Sequence, residues 1–388
     1  MKIGIRVVWL PLLLLTIVNG CKKKVELKYD EDDFYNAVYD ENLVTMQACL
    51  DHGVTSINTE LINASDRQDR YTAFVFLLDN GADPNFTTGR EYSRGADLLI
   101  GRNVDFALAN TAFDPVKTRL LIDYGADVNK CVEPHANLLM HYIQSMYISR
   151  RRGYYAEIKD KALRSIRLLL EHGADISFRE RHEITPLLIA LNYNLKEAVA
   201  LLLEFGVVPS AEPVQIDFNF DPLGFREWDE NYGIVWQTDF LMLANCGYED
   251  ILMPYIQKGV ITPDHADPDG HDIYYHTAEG GNPSLMMSLL PYAKDINSKR
   301  YDNGRYTGLT LLHIAAMNGN SETVKVLLGN GIDEEAKAKD NGGFEYTAFN
   351  LIGGNGDAFK RSEVMKVFSD FNPNDIYSRD YSEYRIKK

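Results

Sequence analysis

Cysteine is scarce in this chain: four residues in 388, at positions 21, 49, 131 and 246. No two of them form a CxxC pair, which removes the zinc-ribbon and thioredoxin-type signatures. Also missing are a GxSxG elbow, an HExxH helix and a glycine-rich phosphate loop, the usual marks of hydrolases, zinc proteases and nucleotide-binding enzymes. No apolar run reaches the roughly 20 residues that a membrane-spanning helix requires. Basic residues are in deficit, 40 Lys and Arg against 56 Asp and Glu, for a formal net charge of -16. Such a surface repels nucleic acid and favours encounters with basic partners. With Cys21 set apart by its position, three cysteines remain, and an odd number without pairing predicts free, partly buried thiols.

Residues 7–18 are the one sustained apolar stretch near the amino terminus, interrupted by Pro11 and preceded by Lys2 and Arg6. A basic start, a short apolar centre and small residues before a cleavage point describe a secretory leader. The segment Val18-Asn19-Gly20-Cys21 resembles a bacterial lipobox, with an aliphatic residue three places before the cysteine and glycine directly before it. That resemblance implies a signal peptide over 1–20, lipidation at Cys21 and a short tether over 21–29. Three acyl chains would anchor the protein durably, since about two membrane signals suffice. Lys22 follows the cysteine where an aspartate would signal inner-membrane retention, so the expected location is the periplasmic face of the outer membrane.

The rest of the chain is built on a recurring phrase: two aliphatic residues, two spacers, glycine, then a small or acidic pair. It reads Leu77-Leu78-Asp79-Asn80-Gly81-Ala82-Asp83, and again Leu121-Ile122-Asp123-Tyr124-Gly125-Ala126-Asp127. Further copies are Leu169-Leu170-Glu171-His172-Gly173-Ala174-Asp175, Leu202-Leu203-Glu204-Phe205-Gly206 and Leu327-Leu328-Gly329-Asn330-Gly331-Ile332-Asp333, with weaker ones near Gly53, Gly259 and Ala293. Physically this is a helix that buries its leucines and stops at a residue able to turn left-handed. Upstream, Thr185-Pro186-Leu187-Leu188 and Thr310-Leu311-Leu312-His313 open shorter helices, threonine capping free amides and proline fitting the first turn. Thr238 and Thr347 begin degenerate copies.

Together the two phrases resemble the ankyrin repeat, a short helix, a turn, a longer helix and a protruding finger. The resemblance implies an all-α solenoid of about eight to nine degenerate repeats over 30–376, with a polar tail over 377–388. Successive glycines lie 28 residues apart from Gly53 to Gly81, and 33 apart from Gly173 to Gly206. Longer intervals elsewhere predict insertions near 86–111, 145–159 and 207–237, the second placed between the two helices of one repeat.

Candidate chemistry dissolves into this pattern. His182-Glu183 opens like a zinc helix, but Pro186 stands where the second histidine would be. Asp264, His265, Asp267, Asp269, His271, Asp272 and His276 are the densest titratable cluster, yet Asp267, Gly270 and Asp272 occupy turn and helix-cap positions of the repeat. In ankyrin repeats a histidine placed like His313 hydrogen-bonds between repeats, and His52 and His172 sit just before a turn glycine. Arg150-Arg151-Arg152 reads as a solvated helix end, or as a clamp for an anionic group on a partner or for lipid headgroups. Ile216, Phe218 and Phe220 alternate with polar residues as in a half-buried strand. Phe225, Trp228 and Tyr232 follow at helical spacing among Glu227, Asp229 and Glu230, as either a recognition element or a satellite core. A second group, Tyr301, Arg305 and Tyr306, lies in a finger and has tyrosines without evident core partners.

Among bacterial ankyrin lipoproteins, the sequence is similar to immunity proteins against type VI secreted phospholipase effectors. That resemblance implies a protein partner, in particular a basic secreted phospholipase, with no catalysis, metal, cofactor or nucleic acid. An envelope assembly or stress-protection scaffold is the alternative reading of the same fold and anchor. Trp228→Ala separates the two roles of its segment: as a partner anchor it costs roughly 2 to 4 kcal/mol of affinity with little change in melting temperature. In a satellite core it costs about 3 to 5 kcal/mol of folding stability instead. Affinity and melting temperature measured on this one variant decide between them.

Overall fold

The computed structural model describes residues 29–67, 69–88, 106–133, 136–179, 183–217, 234–352 and 358–371. Cys21, His182, Phe225, Trp228, Tyr232 and the 377–388 tail lie outside them.

Helices come in antiparallel pairs. They are α1 (Glu31–Tyr39) with α2 (Leu43–Asp51), α3 (Ile57–Ser65) with α4 (Tyr71–Asp79), and a 3-10 turn (Ala107–Thr111) with α5 (Pro115–Asp123). Next are α6 (Leu138–Arg151) with α7 (Tyr155–Glu171), α8 (Pro186–Asn192) with α9 (Lys196–Glu204), and α10 (Asp239–Asn245) with α11 (Glu249–Gln257). The series ends with α12 (Ile273–Gly280) and α13 (Pro283–Leu289), α14 (Leu311–Met317) and α15 (Ser321–Gly329), and a second 3-10 turn (Ala348–Leu351) with α16 (Ala358–Asp370). First helices pack on first helices (α6, α8, α10, α12, α14 in turn), and second helices stack likewise, as α5 on α7 and α13 on α15. The core lies between these two layers.

The recurring leucines explain the core. Leu77, Leu121, Leu169, Leu202 and Leu327, the first aliphatic residue of each clear copy, are all 0% exposed. Each fully buried leucine contributes roughly 1.5 to 3 kcal/mol, and each needs the neighbouring pair to complete its burial. At the turn that follows, Gly173 has φ +85 and Gly331 +84, conformations that an L side chain rarely adopts.

Beyond several of these turns, asparagine ties one pair to the next. Asn85 Nδ2 donates to Gly125 O at 2.9 Å while Asp127 N donates to Asn85 Oδ1 at 2.8 Å. Asn129 repeats the pattern on Gly173 O (2.9 Å) and Asp175 N (2.7 Å). Asp333 N likewise donates to Asn297 Oδ1 at 2.6 Å. The aspartate also braces its own turn, Asp127 Oδ1 accepting from Asn129 N at 2.9 Å. Between α7 and α10 this series stops. Ser177 replaces the asparagine and turns its Oγ back onto Asp175 Oδ1 at 2.7 Å, and Gly206 is followed by Val207 and Val208 in place of a small residue and aspartate. A different link serves there, Ser210 N donating to Asp239 Oδ2 at 2.7 Å.

The structure corrects two expectations. The excess residues at 145–159 are not a loop: α6 is 14 residues long and α7 17, so the insertion lengthens both helices and leaves only a short turn. Arg150 and Arg151 fall in the last turn of α6, where basic side chains suit the helix dipole. Arg150 Nη1 donates to Tyr193 O (3.2 Å) and Asn194 O (3.1 Å), so it clasps the next pair's turn. Nor is the molecule all-α. Long fingers leave backbone groups that must find partners, and they pair with one another. Strands β1 (Cys131–Glu133) and β2 (Ala136–Asn137) form one ribbon, β3 (Val214–Asp217) and β4 (Ile234–Gln237) a second. A four-stranded antiparallel sheet follows, ordered β5 (Tyr301–Asp302), β6 (Tyr306–Leu309), β7 (Ala338–Asp340), β8 (Glu345–Tyr346). The extended reading at 216–217 holds, while Phe218 and Phe220 lie outside the described residues.

Cys49, Cys131 and Cys246 are free; Cys49 is buried, Cys246 partly so, and Cys131 exposed rather than partly buried. Asn129→Ala removes both bonds to the following pair and should lower stability by about 1 to 2 kcal/mol in urea unfolding, whereas Ser177→Ala, which breaks only a bond within its own turn, costs less than about 0.5 kcal/mol.

Candidate functional site

The densest meeting of polar groups lies where the finger before α12 meets the finger before α14. Asp272 caps α12, its Oδ1 accepting from Tyr275 N at 2.9 Å, and it is 2% exposed. Tyr301, on β5, donates its hydroxyl to the same Oδ1 at 2.9 Å. Arg300 completes the group: it pairs with Asp272, donates to the Tyr301 hydroxyl at 3.0 Å, and reaches Asp264 at 3.3 Å. Lys294 Nζ also donates to Asp264, at 3.1 Å. Burial alone would raise the Asp264 carboxyl, but the bonds from Lys294 and Arg300 outweigh it and hold the group below its ordinary range. Burial together with the Asp272 carboxylate pushes the Tyr301 phenol far up, so it stays a donor. Asp264, Lys294, Arg300 and Tyr301 border a cleft of about 400 Å³ lined also by Asp295 and Ser298.

A second group lies on the same helix. His276, 8% exposed, has Nδ1 3.2 Å from Glu279 Oε2, which also accepts from Asn245 Nδ2 of the preceding pair at 2.9 Å. Its Nε2 is 3.8 Å from Asp267 Oδ2, an ion-pair distance too long for a hydrogen bond. Asp267 also accepts from His271 N at 2.8 Å, in the turn at Gly270. His271 stacks on Tyr275 with centroids 4.0 Å apart and bonds Asp302 O at 2.8 Å, joining this turn to β5. Burial would lower the His276 imidazole, yet Asp267 and Glu279 prevail and raise it to about 9. Among the described residues no set of three ligating side chains could hold a metal ion.

Residues singled out in the sequence fare differently. His313 acts between repeats: Nε2 lies 3.2 Å from Tyr346 O, while Nδ1 accepts from Thr310 N at 3.2 Å. His52 and His172 bond the carbonyls four residues back, at 2.7 and 2.8 Å. Tyr301 and Tyr306, expected to lack core partners, are instead buried at 2% and 9% exposure. The reason is the sheet: Tyr301 turns inward to Asp272, and Tyr306 packs edge-on against Tyr346 at 5.6 Å. Only Arg305 of that trio is exposed, its guanidinium 5.3 Å from the Tyr306 ring centroid. Sequence reading missed Arg300, whose sole signal was a basic residue beside Tyr301 in a finger.

The arrangement as a whole is helix pairs with glycine turns, inner-helix caps and projecting fingers. Residues 240–338 match the family model described as ankyrin repeats, in three copies. These residues are ankyrin repeats. They run from α10 through β7, and the two polar groups above sit in their fingers and inner-helix starts. The crystal structure of the human ASB11 ankyrin repeat domain is similar at 18% identity, covering 68% of this chain and 96% of that one, with a TM-score of 0.42. No curated protein matches the chain.

Because Asp267 and Glu279 both face its ring, protonation of His276 is a stability term. Its raised value means that this stabilisation is fully present below about pH 6.5 and is lost as pH rises through about 9. Melting temperature should therefore fall across that window, and His276→Gln should flatten the fall; an unchanged slope in the variant would show that Asp267 and Glu279 do not hold the proton there.

Proposed function

We propose that this chain is a lipid-anchored envelope protein whose ankyrin repeats bind another protein, and that the partner is a secreted phospholipase which it neutralises. The observation that carries the binding reading is the finger sheet of β5 to β8. Its inward side is filled by buried Tyr301, Tyr306 and Ala338, while alternate residues are left in solvent on a firm backing. Ankyrin repeats generally mediate protein binding, and the titratable groups in their fingers are paired with one another in a way that holds structure. The narrower reading is supported by the lipobox-like Val18-Asn19-Gly20-Cys21 and by the net charge of -16, which suits interception of a basic toxin beside a membrane. Among the described residues no helix is long and apolar enough to cross a membrane, so attachment would rest on Cys21.

Native copurification tests both levels. The wild-type chain should be recovered from membranes with a stoichiometric basic lipase whose activity it suppresses, and Cys21→Ser should bring the same partner down from the soluble fraction. Recovery of envelope-assembly or stress proteins alone would replace the immunity reading with a scaffold. Turnover of phospholipid by the purified chain would overturn binding as its function.

A further inference from the structure

The outward side of the finger sheet differs in charge from the molecule that carries it. In the sheet register Thr307 faces Lys339, and Lys339 faces Glu345, so these three form a row across β6, β7 and β8. Lys337 lies two residues before Lys339 and shares its side. Tyr306, Ala338 and Tyr346 occupy the opposite side, the one packed on the solenoid. Lys337 and Lys339 approach Glu345 at 3.3 and 3.7 Å, with side chains 54% and 61% exposed. Lys299 borders the same cleft, of about 390 Å³, with Gly308 and Glu335. It makes no ion pair with the described residues. The Glu345 carboxyl is held below its ordinary range by its bond to Lys337 and by the charges of Lys337, Lys339 and Lys299. Three lysines thus line this cleft with two glutamates, on a chain whose acidic residues exceed its basic ones by 16.

Beside this row stands a rigid apolar projection. Phe344, 68% exposed, immediately precedes Glu345. Its turn is fixed by Asp340, whose Oδ1 accepts from Gly342 N and Phe344 N, both at 2.9 Å, and whose own N donates to Phe344 O at 3.0 Å. Gly343, with φ +82, closes the turn. An exposed aromatic held in place loses little freedom on contact, which is what an interface anchor needs.

We propose that the outward face of this sheet docks an acidic segment of a protein partner, whose carboxylates take the position that Glu345 now fills among Lys299, Lys337 and Lys339, with an adjacent apolar residue against Phe344. The charge pattern selects the occupant: on an acidic chain this lysine-lined recess suits a carboxylate-bearing segment, whatever the charge on the rest of the partner. This inference rests on the protein-binding reading and narrows it to a surface.

The test uses the full chain and two synthetic peptides, hexaglutamate and the same length with a central leucine, titrated calorimetrically at low and physiological salt. The wild-type chain should bind both, more weakly as salt rises. Replacing Lys299, Lys337 and Lys339 by glutamine should weaken both at least about tenfold, since each exposed pair contributes little alone and three act together. Glu345→Gln should do the opposite and tighten both a few-fold, a sign that loss of folding cannot produce. Phe344→Ala should weaken the leucine peptide and leave hexaglutamate unchanged. Absent binding by the wild type, equal binding by the triple variant, or binding of phosphatidylglycerol vesicles without binding of either peptide would each overturn the proposal. If native capture still recovers a protein partner equally with the wild type and the triple variant, this surface is wrong while the binding reading stands; if neither recovers one, the broader reading has failed.

Discussion

The molecule depends on one recurring contact: an asparagine beyond a turn that takes the N–H of the next pair's aspartate and, at Asn85 and Asn129, also gives its amide hydrogen to the next pair's glycine carbonyl. Asn129 to Gly173 and Asp175 shows it whole. No single helix pair can bury both sides of its leucines, so every pair borrows a wall from its neighbour. The asparagine fixes the spacing and angle of that loan, and the left-handed glycine puts its carbonyl where the amide can reach it. Fingers, capped inner helices and the sheet of β5 to β8 all inherit their positions from this register.

On that frame, charge serves placement. Asp272, Arg300, Tyr301 and Asp264 close one network between fingers, and Asp267, His276 and Glu279 another. Each spans two repeats, so titration changes how repeats fit together. A catalytic group must leave some capacity uncommitted and open to a substrate. In these two networks the carboxylates are committed to groups of the repeats themselves.

Much of the fold was legible in the sequence because its determinants are local. A leucine pair followed four residues later by glycine encodes a helix and its stop without reference to anything distant, and Thr185-Pro186 or Thr310 with His313 encodes a start. What was not legible depended on distance. The surplus near 145–159 has the same length whether it forms a loop or extends two helices, and only Arg150 reaching Tyr193 and Asn194 shows which. Tyr301 looked unpartnered because its partner, Asp272, lies in another repeat. Lys337, Lys339 and Glu345 appear as scattered charges until strand pairing aligns them, although alternation about Ala338 was a signal that a strand reading could have used.

The interruption of the asparagine series at Ser177 and Val207-Val208 has a mechanical meaning. A stacked array behaves as a line of coupled units, and its cooperativity is set by the weakest coupling between neighbours. Across this stretch the asparagine contact gives way to others, Ser210 N on Asp239, Tyr248 Oη on Asn194 Oδ1 and Lys196 on Asp250, so the coupling there rests on a different set of side chains from the rest of the line. Pulled from its two ends, the solenoid would yield first at this joint and leave the repeats of 240–338 intact. The seam would then act as a shock absorber for the fingers beyond it.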